Sequence, residues 1–229
     1  MKESRAIFIT GGGSGLGAAV ARRLSARGWR VALAGRDAKK LKASASELGE
    51  ARVYALDVAD AAAVESAIRD FRPDGLVCCA ATLGQGSVFD TLTAERFAQV
   101  YAINVAGTFH ACASAMRLWR EAGIAGDIVN VSSLAGIRGL QKFPGFAAYA
   151  SSKHAVVGMT EALALEGKAQ NIRVNAVAPG AMRTAMMDAL GFTPKTIPDD
   201  IAPTVEFLLD RAQAGALTGT IIEVHCNDD

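Results

Sequence analysis

The stretch that narrows the possible folds most is Thr10-Gly-Gly-Gly-Ser-Gly-Leu-Gly17, read with what flanks it. Arg5-Ala-Ile-Phe-Ile-Thr10 is a short apolar run bounded by turn residues, the mark of a buried strand. Residues 18–26 then carry apolar side chains at helical spacing, at Ala18, Ala21 and Leu24. Strand, tight turn and helix in that order open a βαβ unit. Glycine suits such a turn because the chain reverses sharply and because main-chain N–H groups must come close to an anion at the positive end of the helix. Gly11, Gly13, Ser14, Gly15, Leu16 and Gly17 are thus expected to line a diphosphate site, and the expected ligand is a dinucleotide.

The chain repeats this alternation. Trp29-Arg-Val-Ala-Leu-Ala34 reads as a second strand that ends in Gly35-Arg36-Asp37, about 20 residues past the glycines, where dinucleotide folds read the adenosine ribose. A carboxylate there accepts from a ribose 2′-hydroxyl, whereas an arginine pairs with a 2′-phosphate. Gly35 followed by Arg36 favours NADP(H) over NAD(H), since Asp37 lies beyond the apolar run and is better placed to cap a helix. Residues 38–48 read as helix and Ala51-Arg-Val-Tyr-Ala-Leu56 as strand. Asp57-Val58 closes that strand at the adenine edge of the crevice, with a plain loop cap as the equal alternative for Asp57. Residues 61–71 read as helix, and Asp74-Gly-Leu-Val-Cys-Cys-Ala-Ala81 as a central parallel strand with Ala80 at its cofactor end.

Residues 93–121 read as one or two helices carrying Asn104, a helix-interior amide that needs a partner. Asp127-Ile-Val-Asn-Val-Ser-Ser133 is a strand ending in two hydroxyls. Ile172-Arg-Val-Asn-Ala-Val-Ala178 is another, followed by Pro179-Gly180 and Thr184 at the same rim. Residues 200–211 form a helix and Gly219-Thr-Ile-Ile-Glu-Val224 a last strand. The series predicts an α/β, doubly wound, mainly parallel sheet with helices on both faces and the ligand at the carboxyl ends of the strands. A length of 229 residues with 51% apolar side chains is most economically one domain, residues 1–229.

A net charge of +1, scattered along the chain, gives no field for nucleic acid. No apolar run approaches the ~18 residues of a membrane span, and the start of the chain lacks the apolar core of a signal peptide, so a cytoplasmic protein is expected. Cys78, Cys79, Cys112 and Cys226 have neither the spacing nor the histidine company of a zinc site or disulfide framework; Cys78 and Cys79 read as small hydrophobes in a strand. His110, His154 and His225 stand at no ligand or triad spacing, and no Gly-x-Ser-x-Gly elbow surrounds Ser132 or Ser133.

The chemistry-bearing stretch is Tyr149-Ala-Ser-Ser-Lys153, within a helical segment over 147–168. A Tyr and a Lys at i and i+4 project from one helix face. A phenol with a pKa of about 10 does little acid–base work near neutrality, but a nearby cation stabilises its phenolate, so the pair is a candidate general acid/base.

Thr10-Gly-x-x-x-Gly15-x-Gly17, Asn104, Ser133, Tyr149-x-x-x-Lys153 and Pro179-Gly180 with Thr184 together resemble the short-chain dehydrogenase/reductase family over nearly the whole chain. The resemblance implies a seven-stranded Rossmann sheet and hydride transfer between a nicotinamide and a small carbonyl or secondary alcohol; with the reading of Arg36 the cofactor is expected to be NADP(H), or less favourably NAD(H). It implies Tyr149 as proton donor or acceptor, Ser133 as the hydroxyl holding the substrate oxygen, Lys153 on the nicotinamide ribose and depressing the Tyr149 pKa, and Asn104 keeping a water-linked proton path to Lys153. Pro179, Gly180 and Thr184 would hold the carboxamide of the nicotinamide. Leu134, Ala135, Arg138, Phe143 and Met182, with Met186 and Met187, are the expected substrate pocket, and homodimers or homotetramers through the helices over 93–121 and 147–168 are the expected assembly. The competing reading is a dinucleotide-binding redox sensor or scaffold with little turnover.

Several features depart from the family pattern. Cys78-Cys-Ala-Ala81 stands where Asn-Asn-Ala-Gly is usual, the interval from Ser133 to Tyr149 is a few residues longer, and the segment between Thr184 and Pro198 is short for a substrate lid. His225-Cys-Asn-Asp228 replaces the customary Gly-Gly.

Overall fold

The structure, a computed structural model, describes residues 5–226; part of His225-Cys-Asn-Asp228 therefore lies outside the described residues. The strands are β1 (Ala6–Thr10), β2 (Arg30–Gly35), β3 (Ala51–Ala55), β4 (Gly75–Cys78), β5 (Gly126–Val131), β6 (Ile172–Pro179) and β7 (Ile221–Val224). The helices are α1 (Gly15–Ala26), α2 (Ala38–Ser46), α3 (Ala61–Phe71), α4 (Ala94–Tyr101), α5 (Gly107–Ala122), α6 (Ala147–Gly167), α7 (Ala185–Asp188), α8 (Pro198–Leu209) and α9 (Arg211–Ala214). The seven strands form one parallel sheet in the order β3-β2-β1-β4-β5-β6-β7.

Strand periodicity divides the core into two halves. In β1, Phe8 faces one side and packs with Ile68, Ala111, Trp119 and Leu163 from α3, α5 and α6. Ile7 and Ile9 face the other, with Leu24 of α1, Leu41 of α2 and Val205 of α8. Burial on both faces explains why these strands read as unbroken apolar runs. The strand order reverses between β1 and β4, which opens a crevice at the carboxyl edge.

Two elements depart from the sequence reading. The run predicted as strand to residue 81 leaves the sheet after Cys78, although the Cys79 N–H still donates to the Thr10 carbonyl at 3.1 Å and the Ala80 N–H to Thr10 Oγ1 at 3.3 Å. The segment over 93–121 is two helices joined by a π-helical turn, Ala102–Ala106, which holds Asn104; such wide turns are frequent at functional sites. Beside Cys78 and Cys79, which stand for asparagines, the polar bracing comes from the next strand and from α5. Cys112 Sγ donates to Asn130 Oδ1 at 3.4 Å, and Asn130 Nδ2 donates to Thr160 Oγ1 at 3.0 Å, so β5 carries the polar contact between sheet and helices.

At the opposite, amino edge, Asp127 is buried and accepts from Arg5 Nη2 at 2.9 Å, Arg173 Nε at 2.8 Å and Arg211 Nε at 2.9 Å. Arg5 also bonds Asp74 Oδ1 at 2.7 Å and the Leu209 carbonyl. One carboxylate thus ties the starts of β1, β5 and β6 to α9. Among the described residues, no helix is long and apolar enough to cross a membrane.

Candidate active site

A cleft of about 650 Å³ runs along the carboxyl edge of the sheet. Its floor is the glycine turn. Gly11 sits at φ 69°, and a Cβ there would lie 2.8 Å from the Ala80 nitrogen; a Cβ at Gly17 would lie 2.3 Å from the Gly11 carbonyl oxygen. Any larger residue would collide with backbone, so these glycines form a cradle whose main chain is bare to a ligand. The helix that follows has no acidic side chain in its first turn, and its N-cap Ser14 makes no side-chain capping bond, which leaves the terminus open to an anion. Gly13, Ser14, Gly15 and Leu16 line the same floor. This geometry fits the diphosphate of a dinucleotide.

Arg36, Asp37 and Lys40 line the adenosine end, with Asp57 and Val58 opposite. Asp37 is the N-cap of α2: its Oδ1 accepts from the Lys39 and Lys40 N–H groups at 3.0 and 3.1 Å. A Cβ at Gly35 would meet only Leu41, at 3.7 Å, so the strand end leaves room beside Arg36. Asp57 accepts from the Ala59 N–H at 3.0 Å, which makes it a loop cap at the cleft wall. Ala80, Pro179, Gly180 and Thr184 line the other end, where the Gly180 N–H donates to the Val224 carbonyl at 2.9 Å.

Ser133, Tyr149 and Lys153 meet at the middle of the cleft. Ser133 caps a 3₁₀ turn, Leu134–Gly136, its Oγ accepting from the Ala135 N–H at 3.1 Å, while Ser132 Oγ donates to the Lys153 carbonyl at 2.9 Å and fixes α6 against the end of β5. A Cβ at Gly136 would lie 2.6 Å from Ser132 Oγ, so only glycine lets the turn pack this closely on α6. Phe146 meets the Tyr149 ring edge-to-face at 6.4 Å and 83°. Burial pushes the Tyr149 phenol above its ordinary value and a hydrogen bond from Ser133 pulls it back.

The expected depression of that phenol by Lys153 does not arise. Lys153 Nζ donates to the Val131 carbonyl at 2.8 Å and stands 5.7 Å from the centre of the Tyr149 ring, over its face. Burial draws the Lys153 ammonium itself down to about 8, partly opposed by the Cys79 and Cys78 thiols. Between about pH 8 and 10.5 the unfolded chain holds a proton that the folded protein has released, so stability rises with pH through that window and carries the whole penalty below it. The penalty is on the order of 3 kcal/mol, less about 1 kcal/mol for the Val131 carbonyl that a substitution would orphan. Lys153→Met is therefore expected to be about 2 kcal/mol more stable than the parent in urea unfolding at pH 7 and about 1 kcal/mol less stable at pH 10.5, where only the orphaned carbonyl is left. Equal stability at pH 7 would refute the buried-cation account.

Asn104 does not line the cleft. Its Oδ1 accepts from the Thr82 N–H at 2.8 Å and its Nδ2 donates to the Thr82 carbonyl at 2.9 Å and to Ser152 Oγ at 3.0 Å, so the amide staples the loop after β4 to α6. Two expected pocket residues are also elsewhere: Leu134 is buried in the core and Arg138 is on the surface, while Ala135 is the residue of the 3₁₀ turn that lines the cleft. Phe143, Met182, Met186 and Met187 do line it. Lys40, Gln141, Phe146, Leu190 and Phe192 line it as well and were not anticipated. For Lys40 the sequence held a signal, since a cap at Asp37 places residue 40 in the first turn of α2; the others lie in loops without periodicity.

The model of the short chain dehydrogenase family matches residues 5–194. A levodione reductase of Leifsonia aquatica is 37% identical over 195 residues, covering 80% of this chain and 72% of that protein. Among solved structures, an actinorhodin polyketide ketoreductase with NADPH superposes with a TM-score of 0.87 at 29% identity, covering 99% of this chain and 97% of the other. An NAD⁺-bound xylitol dehydrogenase gives 0.86 at 29%, with 98% and 99% covered.

Proposed function

The chain belongs to the short-chain dehydrogenase/reductase family of oxidoreductases, and from that membership we propose that it is an NADP(H)-dependent enzyme interconverting a carbonyl and a secondary alcohol at Ser133, Tyr149 and Lys153. The observation that carries this reading is the convergence of those three side chains on a cleft whose floor is the bare glycine cradle. A bound nicotinamide supplies or takes the hydride. The protein orients the partners and manages the proton. Tyr149, kept protonated by burial, gives its proton to the carbonyl oxygen during reduction, and Ser133 holds and polarises that oxygen. Lys153 lines the same cleft and binds the ribose next to the nicotinamide. Asn104 is a positioning residue that holds α6, and with it Tyr149 and Lys153, against the loop after β4.

NADP(H) is favoured because the adenosine end presents two cations, Arg36 and Lys40, while the carboxylate beside them is already engaged in capping α2. Arg36→Ala and Lys40→Ala are each expected to weaken NADPH binding about 10-fold or more, as the loss of a charge-assisted bond implies, with NADH affinity changed by less than about twofold. Calorimetric titration of both cofactors measures this; an unchanged NADPH affinity in both variants would transfer the assignment to NAD(H). Self-association through the long helices is supported by apolar side chains left in solvent there: Phe97 on α4, Phe109 on α5 and Leu165 on α6, the last 78% exposed.

A further inference from the structure

Charge is distributed unevenly along the cleft. Its charged lining side chains among the described residues are Arg36, Asp37, Lys40, Asp57 and Lys153. The first four stand at the adenosine end, and Lys153 is taken up by the Val131 carbonyl and, in the proposed function, by the cofactor ribose. Beyond Tyr149 the lining is apolar. Phe143, Phe146 and Phe192 form aromatic walls, and Met182, Met186 and Met187 face the same space from the segment that follows β6. The cations around this mouth do not serve it. Lys142 Nζ donates to the Ile137 and Leu140 carbonyls at 2.6 and 2.5 Å, Arg183 Nε donates to the Pro194 carbonyl at 3.2 Å, and Arg138 does not line the cleft.

At the far rim the polar lining side chains are two neutral amides, Gln85 and Gln141. Neither amide has a side-chain hydrogen bond within the protein among the described residues. Gln141 occupies its place with φ at 37°, in the left-handed region that a non-glycine residue enters at a cost, and such residues concentrate at ligand sites.

We propose that the substrate is an uncharged, predominantly apolar ketone or secondary alcohol, with at most a neutral oxygen at the end remote from the reacting carbon, read by Gln85 or Gln141. Carboxylated, phosphorylated and thioester-carrier substrates are excluded by the same lining. A charged group entering this half of the cleft sheds water and finds no opposite charge to replace it. An apolar ring or chain gains by leaving water, and the three methionines adapt to its outline. Specificity thus resides in the walls, and the oxygen clamp is common to every substrate.

This inference rests on the proposed oxidoreductase reading, and matched substrate pairs separate the two. The purified protein with NADPH is assayed on 4-methylcyclohexanone against 4-oxocyclohexanecarboxylate, and on acetophenone against 4-acetylbenzoate. The uncharged member of each pair is expected to have a kcat/KM at least about 100-fold higher, the scale of burying an unpaired charge. Phe192→Arg, at a position already 57% exposed, is expected to narrow that ratio at least about tenfold by supplying the missing cation. Carboxylates turned over as fast as their neutral partners would overturn the substrate class and leave the oxidoreductase reading standing. NADPH binding without turnover of either member of any pair would overturn the oxidoreductase reading, and the substrate class with it.

Discussion

Tyr149→Phe lowers kcat for carbonyl reduction about 10³-fold while NADPH still binds, because the change removes the proton donor and little else. The ring stays, and with it the edge-to-face contact with Phe146 at 6.4 Å and the placement of Lys153 over its face. Ser133→Ala is expected to cost about 10²-fold by removing the clamp on the substrate oxygen and the hydrogen bond that moderates the phenol. The pH dependence has a defined sign. Reduction needs the protonated phenol, which burial maintains through neutrality, so kcat for reduction falls only in the alkaline range; alcohol oxidation needs the phenolate and rises over the same range. Steady-state kinetics of parent and variants in both directions test this. A Tyr149→Phe enzyme within tenfold of the parent would mean that the proton comes from another group.

The second large effect lies at the other edge of the sheet. Asp127→Ala should destabilise the fold by about 3–5 kcal/mol, since it leaves Arg5, Arg173 and Arg211 gathered around a buried position with no carboxylate at its centre. For a chain of 229 residues this corresponds to a fall in Tm of about 6–20 °C. A scanning calorimeter reads it directly. The double variant Asp127→Leu/Arg173→Leu should recover part of the loss, because Arg173 is itself buried and no longer stranded. Activity of the folded protein at low temperature should be unchanged, since Asp127 starts β5 and the cleft lies at the strand's other end. A Tm shift below about 2 °C would show that the cluster is replaceable by solvent.

The pair of results would separate two jobs that the sheet performs. Its amino edge is held by ionic and main-chain bonds that bring β1, β5, β6 and α9 together. Its carboxyl edge is held by packing that only glycine permits, at Gly11, Gly17 and Gly136. The first edge can change without touching chemistry, while at the second nearly every change alters the shape of the cleft.

Much of the site was legible in the amino-acid sequence because it is built from local rules. The glycine turn between a strand and a helix, the Asp37 cap and the i, i+4 pairing of Tyr149 with Lys153 depend on a few neighbouring residues and a known backbone period. The alternation of apolar runs likewise determined a parallel sheet with two buried faces. Tertiary structure alone decided what no local period encodes. It turned Leu134 into the core and Arg138 to the surface, placed Gln141 and Phe192 at the cleft, spent the Asn104 amide on Thr82 and Ser152, and pointed Lys153 at a carbonyl instead of at the phenol. The physical reason is that a side chain's direction in a loop or 3₁₀ turn, and the partner of a buried polar group, are set by which distant elements pack against it.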